Sequence, residues 1–248
     1  MKCGISVISN FDKEADNWLA ARIGVPTFRI LNLKLRPIEK LAAEFLKQFP
    51  KDSFIQSRVS VADLEVAAKL EALGFKEVEQ LITFEVSILK RRFRRKAQVR
   101  SACVGDRERV VEIAGQSFAY SRFHQDPLIP LDVANAIKAD WTEAYFDGTR
   151  GNEMIVAVNE GQVSGFLLLI ENGNKLIIDL IAVDKKLTGK GLASEMVQFV
   201  MEHAPSHINA ISAGTQKINQ ASIALYEALS FVPKMHQLTF HKHGAELD

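Results

Sequence analysis

The sequence predicts an α/β fold of the α+β kind, and three observations carry that expectation. Leu176 to His203 reads as a strand, a glycine-containing turn and an amphipathic helix in succession. Met154–Val158 and Val163–Ile170 are apolar runs on either side of Glu160-Gly161, a hairpin signal. Helical and extended patterns alternate along the rest of the chain, which is the mark of a layered α/β domain.

The elements follow in order. Phe28–Leu35 alternates apolar and polar residues and predicts a half-buried strand. Pro37 opens a helical segment over Ile38–Phe49. Phe54–Val59 predicts a second strand, and Ser60–Leu73 a helix with Gly74 as its C-cap. Val78–Leu89 is extended. Lys90-Arg-Arg-Phe-Arg-Arg-Lys96 then forms a basic run, read as a solvated linker over 90–97. A sharper reading makes it a patch for acidic ligands or RNA. It divides a small N-terminal α/β domain, 1–89, from a larger domain, 98–248.

In the larger domain, Asp106–Ala119 and Val133–Phe146 have helical periodicity. The hairpin and the Leu176–Val183 strand follow, then helix Leu192–His203. Ile208–Ala213 predicts a strand, Asn219–Leu229 a helix, and Met235–His241 a strand that closes the sheet. The pairs Gly165-Phe166 and Gly74-Phe75 suggest that the two halves are distant structural echoes.

Composition excludes several classes. The chain has 248 residues, 47% of them apolar, so it can bury a substantial core. A formal net charge of +1 argues against a protein built to coat nucleic acid. Cys3 and Cys103 are isolated, which gives neither a disulfide framework nor a cysteine-based zinc site. No run reaches the roughly 20 apolar residues that span a bilayer, and the first residues lack an apolar signal region. A reducing, cytoplasmic setting and no membrane association are the expectation. His236, His241 and His243 lack the further ligand a metal needs, and no metal is expected.

The segment Val183-Asp-Lys-Lys-Leu-Thr-Gly-Lys-Gly-Leu-Ala-Ser194 concentrates the chemistry. A strand that opens through glycines onto a helix start makes an anion site. The first helical amides have no internal acceptor, and the helix dipole adds partial positive charge there. Gly189 and Gly191 lack Cβ, so a phosphate can approach the backbone closely.

Two motifs carry a resemblance. Lys186-Leu-Thr-Gly-Lys-Gly-Leu-Ala193 is similar to the pyrophosphate loop of the GCN5-related N-acetyltransferase (GNAT) superfamily, and Asn219-Gln-Ala-Ser-Ile-Ala-Leu-Tyr-Glu-Ala-Leu-Ser-Phe231 to its Asn- and Leu-Tyr-bearing helix. Lys186 stands where the family has Arg or Gln, and Ser230 where it has Gly before Phe. The likeness covers about Val99 to His243. It implies a mixed, mostly antiparallel sheet flanked by helices, with acetyl-CoA as the acetyl donor. It also implies site residues. Thr188, Gly189, Lys190, Gly191, Leu192 and Ala193 would grip the pyrophosphate, Ile181 and Val183 would pair with the pantetheine arm, and Asn219 would hold that arm or cap its helix. Tyr226 would protonate the departing thiolate, a task that suits a phenol whose ordinary pKa is about 10.

A narrower likeness spans almost the whole chain. Ser117-Phe-Ala-Tyr-Ser-Arg-Phe-His124, Pro127, Ala139-Asp-Trp141 and Leu70-Glu-Ala-Leu-Gly-Phe75 resemble the bacterial dTDP-fucosamine acetyltransferases. That resemblance implies a nucleotide-linked 4-amino-deoxy sugar as acceptor and surface-polysaccharide biosynthesis as setting. It implies an N-terminal domain that contributes to the acceptor site, with Glu79 taking the amine proton through water. Ser121, Arg122 and His124, in the connector between the first two helices of the larger domain, would border the acceptor. His124 is the alternative base, since imidazole titrates near pH 6.5. Similar enzymes commonly form homodimers. Other readings stay open: transfer to a protein N-terminus or a small-molecule amine, or a non-catalytic acyl-CoA-sensing or RNA-binding module.

Overall fold

A computed structural model of the chain describes residues 11–33, 38–88 and 97–244. Lys90 to Lys96 and Cys3 lie outside the described residues. Of the described residues, those within Met1–Gln80 and Gln237–Asp248 form one compact unit, and those within Leu81–His236 the other.

The first unit begins with β1 (Asp12–Ala15), α1 (Asn17–Ile23) and β2 (Thr27–Leu31). It continues through α2 (Ile38–Gln48), β3 (Phe54–Ser60), α3 (Leu64–Ala72) and the start of β4 (Lys76–Ser87). The end of β10 (Val232–His243) completes it. β1 pairs antiparallel with β2, β2 parallel with β3, and β3 antiparallel with β10. Leu41 and Phe45 of α2 and Leu70 of α3 are fully buried against Ile55 and Phe240 of the sheet. Burying such a side chain stabilises by roughly 1.5–3 kcal/mol. α3 starts later than its periodicity predicts, because Ser60 is still paired with Gln237 in the ladder. β1 and α1 go beyond the sequence reading. α1 is set by Asp16, whose carboxylate accepts from the Leu19 amide at 3.0 Å.

The second unit holds the rest of β4, then β5 (Gln98–Ser101), α4 (Arg107–Ser117), α5 (Leu131–Phe146), β6 (Glu153–Asn159) and β7 (Gln162–Asn172). β8 (Lys175–Val183), α6 (Leu192–His203), β9 (Ala210–Gln216) and α7 (Gln220–Ala228) follow. Its strands lie in the order β4-β9-β8-β7-β6-β5, antiparallel except for β8 with β9. This is the mixed, mostly antiparallel sheet flanked by helices. The β6–β7 hairpin closes on Glu160 and Gly161, both left-handed at φ 51° and 79°, as a two-residue turn between twisted strands requires.

Helices cover both faces of that sheet. α6 buries Leu192, Met196, Val197 and Val200, one helical face, against Ile155, Leu167 and Ile211. α4 buries Val110 and Ile113 against Val156, Phe166, Leu168 and Leu180. β8 serves both cores. Leu176 and Ile178 belong to the α6 side, whereas Leu180 and Ala182 belong to the α4 side. A strand that alternates faces can do this only if its register slips. The slip is a bulge: Leu168 pairs with Leu180 and Leu169 with Ile178, which leaves Asp179 without a partner in β7. No helix among the described residues is long and apolar enough to cross a membrane.

The internal echo rests on a different pair of segments from the one the sequence suggests. Gly165-Phe166 lies inside β7. The match to Leu73-Gly74-Phe75 is Leu229-Ser230-Phe231. Gly74 N–H donates to Glu71 O at 2.8 Å and Phe75 N–H to Leu70 O at 3.0 Å. Ser230 N–H donates to Glu227 O and Phe231 N–H to Tyr226 O, each at 2.9 Å. Both helices therefore end in a left-handed cap followed by a buried phenylalanine that leads into a strand. Ser230 adopts the glycine conformation at φ 65°. A side chain there costs roughly 1–2 kcal/mol. Ser230→Gly is expected to raise the stability to urea by about 1 kcal/mol without changing the fold; a destabilised variant would show that the serine relieves the cap instead.

Candidate functional site

β8 and β9 run together only from the Lys175–Ala210 pair to the Ile178–Ala213 pair. Beyond it, β9 continues against β4 as far as the Leu81–Gln216 pair, and β8 continues against β7 as far as Gly165–Val183. A cleft of about 600 Å³ opens where they part. Ile181, Ala182 and Val183 of β8 form one wall, and Gln216 at the end of β9 faces them. The C-terminal end of α4 and the residues after it, Ser117 to Ser121, form another wall. Ala221, Ser222, Ala224 and Leu225 of α7 complete the lining, and three of these four are small, which keeps that side open.

At one end the cleft meets the turn between β8 and α6. Asp184 organises the turn: its carboxylate accepts from the Lys186 amide at 2.8 Å and pairs with Arg109 of α4. The amide bond and then the arginine, acting against burial, hold this carboxyl below its ordinary range. Gly189 and Gly191 both take left-handed φ, 78° and 84°, and a Cβ at either would meet nothing within 4 Å. The constraint on these positions is therefore backbone conformation, with open space in front of it. Gly191 is the N-cap of α6, and no side chain caps the helix. Its first amides are left to a ligand, and the helix dipole favours an anion there. Thr188, Gly189, Gly191, Leu192 and Ala193 line the cleft. Lys190 is exposed in the same turn and is not among the lining residues.

Of the residues expected to border the acceptor or move protons, Ser121 lines the cleft, whereas Arg122, His124, Tyr226 and Glu79 are not among its lining residues. Asn219 lines the cleft and caps α7, accepting from the Ser222 amide at 3.2 Å. Tyr226 is buried between Phe84 and Phe231, with ring centroids 5.8 and 5.3 Å away, while its neighbour Leu225 lines the cleft. Burial pushes the phenol pKa above its ordinary value, so it keeps its proton at neutral pH. Ser121 lines the cleft and its hydroxyl lies 2.7 Å from His124 Nδ1. The Arg122 guanidinium stacks on Phe123 at 4.4 Å, away from the lining. Glu79 belongs to the first unit, where its Oε1 accepts from Arg58 at 3.3 Å and from Thr239 at 3.1 Å.

The structure thus brings Ser121, Ile181, Val183, Thr188, Gly189, Gly191, Leu192, Ala193 and Asn219 to one cleft. Sequence reasoning missed Gln216, Ala221 and Ala224 in the lining. The last two carry a weak signal, small residues spaced along the helix that bears Tyr226. Asp179 is missed as well. It is a lone acid in an apolar strand, and it accepts from Trp141 Nε1, Tyr145 OH and Arg150 Nε, each at 2.7 Å, and from Arg150 Nη2 at 2.9 Å.

Comparison with known proteins bears on this arrangement. Residues 118–231 match the acetyltransferase (GNAT) family. The spore coat polysaccharide biosynthesis protein SpsD of Bacillus subtilis is 34% identical over 138 residues, 55% of this chain and 47% of that protein. The N-acetylaspartate synthetase of Xenopus tropicalis is 31% identical over 124 residues, 48% of this chain and 44% of that protein. The chain therefore spans about half the length of these relatives. A GCN5-related N-acetyltransferase from Sphaerobacter thermophilus shares the fold, with a TM-score of 0.60 at 13% identity over 94% of this chain and 76% of that one.

The Asp179 cluster anchors the point where the strands part. Burial alone would raise this carboxyl's pKa, but the donors from Arg150, Trp141 and Tyr145 outweigh it and hold it below the ordinary range. A depressed pKa stabilises the fold above the unfolded value of about 3.9, and that contribution fades as pH falls below it. Asp179→Asn is expected to lose about 2 kcal/mol at pH 7 in urea denaturation, and the gap to wild type should narrow below about pH 4. A gap that stays constant down to pH 2 would remove the charge from the explanation.

Proposed function

We propose that the chain, whose residues 118–231 match the acetyltransferase (GNAT) family, transfers an acetyl group from acetyl-CoA to a primary amine, and that the amine belongs to a nucleotide-linked 4-amino-deoxy sugar. One observation carries the reading: the uncapped start of α6, with its two left-handed glycines, opens into the same cleft as the unpaired end of β8 and the small-residue face of α7. That combination fits a long ligand with an anionic end and an extended arm. The α6 amides would take the diphosphate, with Lys190 at the rim as a solvated counter-charge. The backbone of Ile181 and Val183 would hydrogen-bond the arm, since among the described residues the side of β8 toward β9 has no ladder partner past Ile178.

Acetyl-CoA supplies the activated thioester, and the residues supply position and protons. The acceptor nitrogen forms the new bond to the acetyl carbon as the carbon–sulfur bond breaks. Tyr226, kept protonated by burial, is proposed to deliver its proton to the sulfur as negative charge grows there, and the proton that the new amide nitrogen sheds restores the phenol. Holding both reactants in one cleft supplies much of the rate gain. The sugar acceptor is supported by the name of the Bacillus subtilis relative, a polysaccharide biosynthesis protein. A second reading, an amino-acid acceptor, is favoured by the Xenopus tropicalis relative, an N-acetylaspartate synthetase.

The test incubates the chain with acetyl-CoA and, separately, dTDP-4-amino-4,6-dideoxygalactose, glucosamine and L-aspartate, and follows thiol release. Release with the nucleotide sugar supports the first reading; release with aspartate alone selects the second; release with none overturns both. Gly191→Val is expected to weaken acetyl-CoA binding by about tenfold in calorimetry, because valine resists the left-handed turn. Tyr226→Phe is expected to lower turnover by about 10²-fold while acetyl-CoA affinity changes little. Near-normal turnover in that variant would take Tyr226 out of the reaction.

A further inference from the structure

A line of hydrogen bonds leads from the cleft into the helix layer, and the reading above leaves it unused. Ser121 Oγ lies 2.7 Å from His124 Nδ1, and His124 Nε2 lies 3.1 Å from Asn135 Oδ1 on α5. The direction of donation follows from what each atom can do. An amide oxygen only accepts, so Nε2 carries the ring proton. Nδ1 is left with its lone pair, and the Ser121 hydroxyl donates to it. Ser121 is buried, yet it lines the cleft, whereas His124 is half-buried. Burial lowers the imidazole pKa; the Asn135 bond opposes this, and the nearby Lys138 of α5 and Lys185 of the β8–α6 turn lower it further. The ring is therefore neutral at pH 7 and free to accept a proton.

We propose that Ser121, His124 and Asn135 form the relay that removes the proton from the acceptor amine. This rests on the acetyl-transfer reading and names the destination of a proton which that reading leaves open. An amine near pH 7 is mostly ammonium and has no lone pair to attack with. In the relay, an N–H bond of the ammonium breaks as an O–H bond forms on Ser121. The hydroxyl's own proton passes to His124 Nδ1 in the same event. The products are a neutral amine and an imidazolium whose other N–H is held by Asn135. Ser121 gains one proton as it gives up another, so no acyl-serine forms. Ser121 is the catalytic residue here, because it faces the cleft; His124 and Asn135 act through it.

The experiment measures turnover against pH with the acceptor that wild type uses best among the three amines named above. His124→Gln and Ser121→Ala are expected to lower kcat by about 10²-fold, with the KM for acetyl-CoA little changed. Wild-type kcat/KM is expected to fall as pH drops below the ordinary imidazole range, and His124→Gln to lose that acidic limb. Asn135→Asp places a carboxylate beside Nε2, stabilises the imidazolium and should move the limb to higher pH, which a merely structural role would not do. Nitrogen NMR of the wild-type ring should find the neutral form protonated at Nε2, a measurement that needs no variant to fold. Full turnover in His124→Gln, an unmoved limb in Asn135→Asp, a limb lost in Glu79→Gln but kept in His124→Gln, or a proton on Nδ1 would overturn the relay alone. Wild type that acetylates none of the amines overturns the function and the relay together.

Discussion

Asp179 sits where β8 changes its allegiance. Before it, the strand hydrogen-bonds on both sides and Leu176 and Ile178 feed the α6 core; after it, the strand pairs with β7, and Leu180 and Ala182 feed the α4 core. An extra residue in a ladder must leave the ladder, and this one carries a charge out of the pleat toward α5. Trp141, Tyr145 and Arg150 satisfy that charge with four hydrogen bonds. Past Asp179, β9 no longer pairs with β8, and the cleft lies where they part. The cleft thus opens beside a register shift whose extra residue is held by a polar cluster.

Two parts of the cleft are set by backbone. One is a helix start with glycine dihedrals, and the other is a strand edge. Proton handling is different, because it needs particular groups in particular states. Both candidate groups reach their states through burial. Desolvation makes the Tyr226 phenol a firmer keeper of its proton and makes the His124 ring slower to take one up. Desolvation is the largest influence on both groups, joined at His124 by the charges of Lys138 and Lys185.

The parts legible in sequence are those with strong local signals. Leu192–His203 is found to the residue because its apolar period and its preceding glycines agree. The Glu160-Gly161 turn is legible because few residues accept two successive left-handed conformations. β1 and β5 are four residues each, too short for periodicity to show, and they are held by pairing with β2 and β6. Asn135 has no local signal at all. It looks like any polar residue on a helix, and its meaning comes from an imidazole on the preceding connector. Asp179 did leave a trace, a single carboxylate between Ile178 and Leu180. Reading it needs the idea that a charge inside an apolar strand marks a break in pairing.

The division of strands between the two units has a consequence for the chain as it is made. β4 leaves the ribosome early, yet its partner from Leu81 onward is β9, which is synthesised far later. β3 waits longer still, for β10, the last of the described strands. Each half of the nascent protein therefore carries a bare hydrogen-bonding edge through most of translation. Such edges invite pairing with neighbouring chains, and distant partners make closure slow. Late pairing of β4 with β9, and of β3 with β10, therefore makes both edges points of aggregation risk while the chain is being made.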